Sequence, residues 1–205
     1  MRLHYAPRTI SIAVAITLEE AGLTYEAVPV DFSTGAQKGA AYLALNPKGR
    51  VPTLEIDSGE VLTETGALLD YIAALAPAAN LVPKEPMRAA QMRSVMYFLA
   101  STMHVNHAHM RRGARWATHQ SSFEDMIAKT PENMAENARY FVSDCLQGDY
   151  VLSDQFSLAD PYAYMLCSWL ERDKVPLTDF PEIAAYLDRM NARPSLQAVR
   201  AKGML

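Results

Sequence analysis

Leu3 and Tyr5 alternate with polar neighbours until Pro7 breaks the run, so residues 2–5 read as a short strand entering a turn. Ile12, Ala13, Ala15 and Ile16 then follow helical spacing as far as Glu20, and Gly22 stands where a left-handed helix terminator belongs. Thr9 or Ser11 is placed to cap that helix. Residues 25–30 are β-rich and end at Asp31, which gives a strand–helix–strand unit whose two strands should be parallel. A loop carrying Ser33, Gly35 and Gly39 leads to a short helical piece over 40–45. The turn Asn46-Pro47-Lys48-Gly49 then passes through Val51-Pro52 into a strand over 53–56, and Asp57-Ser58-Gly59-Glu60 reads as a hairpin turn into a brief strand at Val61-Leu62. Thr63, Glu64 and Thr65 are polar caps for a helix bearing Leu68, Leu69, Ile72 and Leu75, stopped by Pro77. The order βαβ then ββα describes a small α/β sandwich.

No convincing strand pattern follows. Residues 78–86, with Pro83 and Pro86 among small residues, read as a linker, so the expected division is an α/β domain over 1–77 and an all-helical domain over 87–205. Met92, Val95, Met96, Leu99 and Met103 form one helical stripe and read as core; residues 131–146 repeat the pattern more weakly. Ser157-Leu158-Ala159-Asp160 has the form of a capping box that opens an apolar helix through Leu170, which makes Asp160 a folding residue. A final helix over 183–190 ends near Arg193-Pro194.

Composition narrows the function. With 205 residues, 50% hydrophobic and 20% charged, the chain can bury a core unaided, and a net charge of -4 argues against an extended nucleic-acid surface. Cys145 and Cys167, the two cysteines, suit a reducing compartment. Asp70 and Glu19-Glu20 interrupt the apolar runs, so no membrane span is expected. The stretch over 10–18 follows Arg2 and Arg8 as in a signal peptide but lacks a small-residue cleavage site, so a cytoplasmic protein is expected. From Met87 to Phe123 there is no acid, while Arg88, Arg93, Arg111, Arg112, Arg115 and four histidines make a local positive field. No acid or cysteine completes a metal set with His104, His107 and His109, so no metal is expected.

Four blocks carry a resemblance over essentially the whole length. They are the opening Met1-Arg2-Leu3-His4-Tyr5-Ala6-Pro7, the run Asn46-Pro47-Lys48-Gly49-Arg50-Val51-Pro52, the run Gly59-Glu60-Val61-Leu62-Thr63-Glu64-Thr65, and Ser157-Leu158-Ala159-Asp160. In this order and spacing the chain resembles the cytosolic glutathione transferases, particularly the bacterial beta-like branch. The resemblance implies a thioredoxin-like N-terminal domain, an all-α C-terminal domain, glutathione as co-substrate, and a homodimer. It further implies a cis Pro52 that frees the Val51 backbone to pair with the cysteinyl unit of glutathione. Thr65 would bind the γ-glutamyl carboxylate at a helix N-terminus and Glu64 would face the α-ammonium, although helix capping alone would explain those residue types. His104 aligns with a histidine that reaches glutathione across the dimer, with Thr102 where an acid usually stands nearby.

Beta-like members usually carry a cysteine where Ile10 stands, so mixed-disulfide chemistry at that position is excluded and thiol activation must come from elsewhere. A free thiol titrates near ~8.5, and lowering that by two units needs roughly 2.7 kcal/mol of preferential anion stabilisation. Ser11 is the first choice as thiolate donor, with Tyr5 and Thr9 as alternatives; Ser11 could equally serve as an N-cap. The leading expectation is an enzyme that adds glutathione to a small electrophile seated against the helical domain, Trp116 and Tyr164 being candidates for its pocket. The competing readings are a non-catalytic carrier or docking protein and a glutathione-dependent peroxidase or reductive dehalogenase.

Overall fold

The computed structural model describes residues 1–205 and divides the chain into two compact units, Met1–Val82 with Asn191–Leu205, and Pro83–Met190. In the first unit a four-stranded sheet has the order β2-β1-β3-β4. Its strands are β1 (Arg2–Tyr5), β2 (Glu26–Pro29), β3 (Thr53–Glu55) and β4 (Val61–Thr63). β1 and β2 are parallel, joined through α1 (Ser11–Glu20), as the strand–helix–strand pattern predicts. β3 runs antiparallel to both β1 and β4. A short α2 (Ala40–Leu45) precedes β3, and α3 (Thr65–Leu75) follows β4. This is the thioredoxin-like arrangement expected from the sequence.

α1 is the core of this unit. Every residue from Ser11 to Leu18 is buried, and a helix apolar on all sides needs cover on all sides. It packs against β1 and α3, and against α9 (Pro194–Ala201), which buries Leu196 and Val199. Arg193 grips Glu20 at the end of α1 with two bonds of 2.7 and 2.8 Å, and Ser195 Oγ donates to the same carboxylate. The last fifteen residues therefore pack with the α/β unit, whereas the sequence reading placed them in a helical domain running to 205; α9 itself was not foreseen.

The second unit is helical: α4 (Pro86–Phe98), α5 (His104–Arg112), α6 (Gln120–Tyr140), α7 (Ala159–Cys167) and α8 (Pro181–Asn191). Glu85 caps α4 by accepting from the Met87 and Arg88 amides at 2.9 and 2.7 Å. The expected stripe of Met92, Val95, Met96, Leu99 and Met103 is buried, and α4 continues into α5 through a π-helical turn. α6 begins eleven residues before Pro131, which lies inside it and not near its start. Proline removes one bond to Ile127, a residue exposed enough for water to serve its carbonyl.

α7 starts from the predicted capping box. The Asp160 carboxylate accepts from the Ser157 amide at 2.7 Å and its hydroxyl at 3.1 Å, while Ser157 Oγ accepts from the Ala159 amide at 3.3 Å. Asp160 also accepts from the Val151 amide at 2.9 Å, and Tyr186 of α8 donates to its backbone carbonyl at 3.0 Å. Burial pushes this carboxyl up to about 7, against the pull of its donors. Asp160→Ala leaves these donors buried without an acceptor. Urea denaturation should show a loss of about 3–5 kcal/mol, with glutathione affinity of the folded protein nearly unchanged.

Candidate active site

The strand register defines the site's edge. His4 of β1 lies opposite Thr53 of β3, and Thr53 lies opposite Thr63 of β4. The carboxyl ends of β1 and β4 and the amino end of β3 are therefore neighbours. Ala6, Val51-Pro52 and Glu64-Thr65, each one or two residues beyond those strand ends, share one edge of the sheet, where α1 and α3 also begin. Carboxyl strand ends facing helix N-termini are where α/β sheets take ligands.

At the α1 corner the two candidate hydroxyls meet. Thr9 Oγ1 and Ser11 Oγ are 2.7 Å apart. Thr9 donates to the Ala6 carbonyl at 2.8 Å, and Ser11 Oγ lies 3.2 Å from both the Ala6 amide, which donates to it, and the Ala6 carbonyl. Thr9 Oγ1 also accepts from the Ser11 amide, the first of α1, at 3.4 Å, so Thr9 is the one of the two expected cap candidates that meets the start of the helix. Ser11 is 0% exposed, whereas Thr9 is half-buried and reaches the surface. Tyr5 is also buried; burial, the hydrogen bond to Glu19 and then the neighbouring Tyr5 phenol raise the pKa of Tyr25. No hydrogen bond joins the Tyr5 phenol to Thr9 or Ser11, whose hydroxyls bond each other and Ala6. Ile10 is buried. Cys145 and Cys167 are buried thiols, pushed up by burial, Cys145 to about 11, which leaves neither a thiolate near neutrality.

The Val51-Pro52 bond is cis. Val51, half-buried, takes part in no hydrogen bond within the chain, so its amide and carbonyl are both open. The loop before it is tied down firmly. Asn46 Nδ2 and Tyr42 Oη donate to the Arg50 carbonyl at 2.8 and 2.7 Å, and both also bond Thr53 Oγ1 at 2.9 Å. Gly49 adopts φ +60, and a Cβ there would stand 3.0 Å from the Gln37 carbonyl.

The third corner is the start of α3. Glu64 holds φ 74, a left-handed conformation for a residue that has a Cβ, of the kind that accumulates at functional sites. No side chain caps this helix, so neither Thr63 nor Glu64 serves as the cap that the residue types suggested. The first amides of α3 remain unpaired, and the hydroxyl of Thr65, a residue 7% exposed, has no partner in the chain. The exposed Glu64 carboxylate pairs with Lys48 across the two loops at 2.5 Å.

His104 belongs to the second unit, at the start of α5, its ring 5.5 Å from Trp169. His107 beside it is bonded to the buried Asp173 at 2.7 Å and stacked on Trp169, so an acid distant in sequence answers part of the expected positive field. His109 lies edge-on to Trp116, which is exposed, whereas Tyr164 is buried. Sequence reasoning did not single out Tyr42 or the separate role of Asn46. The signal available was an asparagine opening a Pro-Lys-Gly turn directly before Val51-Pro52.

An α/β unit with a cis-proline loop and an uncapped helix N-terminus at one sheet edge, followed by a helical unit, defines a two-domain class with a thioredoxin-like first domain. Residues 2–74 match the family model "Glutathione S-transferase, N-terminal domain" and residues 118–194 match "Glutathione S-transferase, C-terminal domain". The chain is 29% identical to glutathione S-transferase GstA of Escherichia coli O157:H7, over 100% of each chain. It is 57% identical to a glutathione transferase homologue from Sulfitobacter solved with bound glutathione, at TM-score 0.98 over 100% of this chain and 98% of the other. A sphingomonad glutathione S-transferase complexed with glutathione is 31% identical, at TM-score 0.86 over the full length of both. The chain belongs to the glutathione S-transferase family and is an enzyme of that family.

Gly49→Ala forces a side chain into the left-handed region against the Gln37 carbonyl. The expected result is a loss of about 1–3 kcal/mol in thermal or urea denaturation.

Proposed function

We propose that this glutathione S-transferase binds glutathione along the shared sheet edge and activates its thiol with Thr9, Ser11 standing behind. The observation that carries this reading is a complementary set of unused groups on that edge. The Val51 amide and carbonyl are open for strand-like pairing with the cysteinyl unit, and the Thr65 hydroxyl and first α3 amides are open for the γ-glutamyl carboxylate. Glu64, exposed and paired only with Lys48, can exchange that ion pair for the α-ammonium at small cost.

Proton accounting favours Thr9 over Ser11 as the donor. Two hydroxyls share one acceptor, the Ala6 carbonyl. When a thiolate arrives, Thr9 can turn its proton outward while Ser11 donates across the 2.7 Å contact to Thr9 Oγ1, and the Ala6 carbonyl keeps the Thr9 amide at 3.4 Å as its donor. Ser11, with no exposure, then acts as a positioning residue. The thiolate attacks the electrophilic carbon, a C–S bond forms, and the leaving group departs with its bonding pair or the added electron pair takes up a proton. Catalysis is nucleophile activation with proximity. The co-substrate is a small electrophile, and the enzyme works in the cytoplasm as a homodimer, in which His104 is offered to glutathione bound by the second copy. No helix is long and apolar enough to cross a membrane.

Conjugation of a chlorodinitrobenzene, with glutathione affinity measured separately by calorimetry, tests the assignment. Thr9→Val should lower kcat by about 100-fold with little change in affinity, and Thr9→Ser should restore most of it. Ser11→Ala should cost less turnover and about 1–3 kcal/mol of stability. Full activity in Thr9→Val with none in folded Ser11→Ala would move the donor role to Ser11.

A further inference from the structure

We propose that Tyr42 and Asn46 are positioning residues for glutathione, acting together through the Arg50 carbonyl to aim the open backbone of Val51. This rests on the glutathione reading of the Val51 edge. The Arg50 carbonyl and the Val51 amide belong to one planar peptide, so whatever orients the carbonyl orients the amide on its other side. Tyr42 and Asn46 donate to that oxygen at 2.7 and 2.8 Å, and the two lone pairs of a carbonyl accommodate both donors at once.

The clamp is built from buried groups. Tyr42 is 9%, Asn46 1% and Thr53 0% exposed, so water competes poorly for these bonds. The orientation of Asn46 is determined by its other end, because Oδ1 accepts from the Lys48 amide at 3.1 Å and leaves Nδ2 facing the Arg50 carbonyl. Thr53 Oγ1, bonded to both donors, ties the clamp to the first residue of β3. The peptide is thereby referenced to the sheet, to α2 and to the loop. Val51 itself bonds to nothing in the chain, so its direction is set wholly by the neighbouring peptides.

Two substitutions remove the two short donors and leave Thr53 Oγ1, which also donates to the Arg50 carbonyl, at 3.4 Å. Tyr42→Phe deletes the hydroxyl, and Asn46→Asp keeps the shape and the Lys48 contact while losing the NH2. Calorimetric titration of the full-length protein with S-methylglutathione, which has no ionisable thiol, reads positioning apart from activation. Each single variant should weaken binding about 3- to 10-fold, and the double variant by at least the product, since the surviving donor partly holds the carbonyl in each single. The pH dependence of the glutathione thiol on the enzyme should stay as in wild type. Unchanged affinity in the folded double variant, with only its melting temperature lowered, would overturn the positioning role and leave the glutathione reading standing. Failure of the wild-type chain to bind S-methylglutathione would overturn both. Asn46→Gln that recovers no binding on a Tyr42-intact background, beside weakened Asn46→Asp, supports the role, because the longer amide cannot reach the same oxygen while bonding Lys48.

Discussion

The constraint on which the rest depends is the backbone pairing that sets His4 against Thr53 and Thr53 against Thr63. Three segments remote in sequence reach one sheet edge through it: the Ala6 corner, the Val51-Pro52 loop and the start of α3. A slip of one residue in β3 would turn Leu54 out of the core and carry Val51 away from that edge. The site is therefore protected by the same burial that holds the fold, with Leu3, Leu54, Ile12, Ile16, Leu68, Leu69 and Ile72 all at 0% exposure.

Around that edge the chain separates groups that hold the frame from groups left open. Tyr42, Asn46 and Thr53 satisfy one another and the Arg50 carbonyl, and Ser11 is absorbed into the Ala6 turn. Val51, the Thr65 hydroxyl and the first α3 amides have no internal partner. In a well-packed protein unpaired polar groups are few, and a concentration of them beside a residue in left-handed backbone, Glu64, marks a place prepared for a ligand. The proposed thiolate chemistry follows from the same division, because Thr9 can direct its proton outward where the buried Ser11 hydroxyl donates to it from behind.

Much of this was legible in the sequence. The alternation at Leu3 and Tyr5, the strand–helix–strand unit and the hairpin gave the sheet and its parallel pair, and the Ser157–Asp160 spacing gave the start of α7. Local spacing carries such features because their partners are near in the chain. The features that escaped depend on partners far away. α9 was missed because its short apolar stripe gains meaning only against α1, yet α1 carried the clue, being apolar on every side and so requiring an outer cover. The order of the hydroxyls was equally hidden. Thr9 and Ser11 are chemically alike, and the burial that leaves Ser11 with no exposure and Thr9 half-buried comes from the packing of the whole unit around α1. The interior position of Pro131 in α6 shows the converse error, a local signal overridden by packing.

The measurement that bears most directly on the central claim is the ultraviolet difference spectrum of the protein titrated with glutathione across pH, which reads the thiolate band. The account predicts a saturable band whose midpoint lies about two pH units below that of free glutathione, corresponding to roughly 2.7 kcal/mol of anion stabilisation. Saturable binding without a thiolate band at neutral pH would contradict it, because the sheet edge would then hold glutathione without activating it.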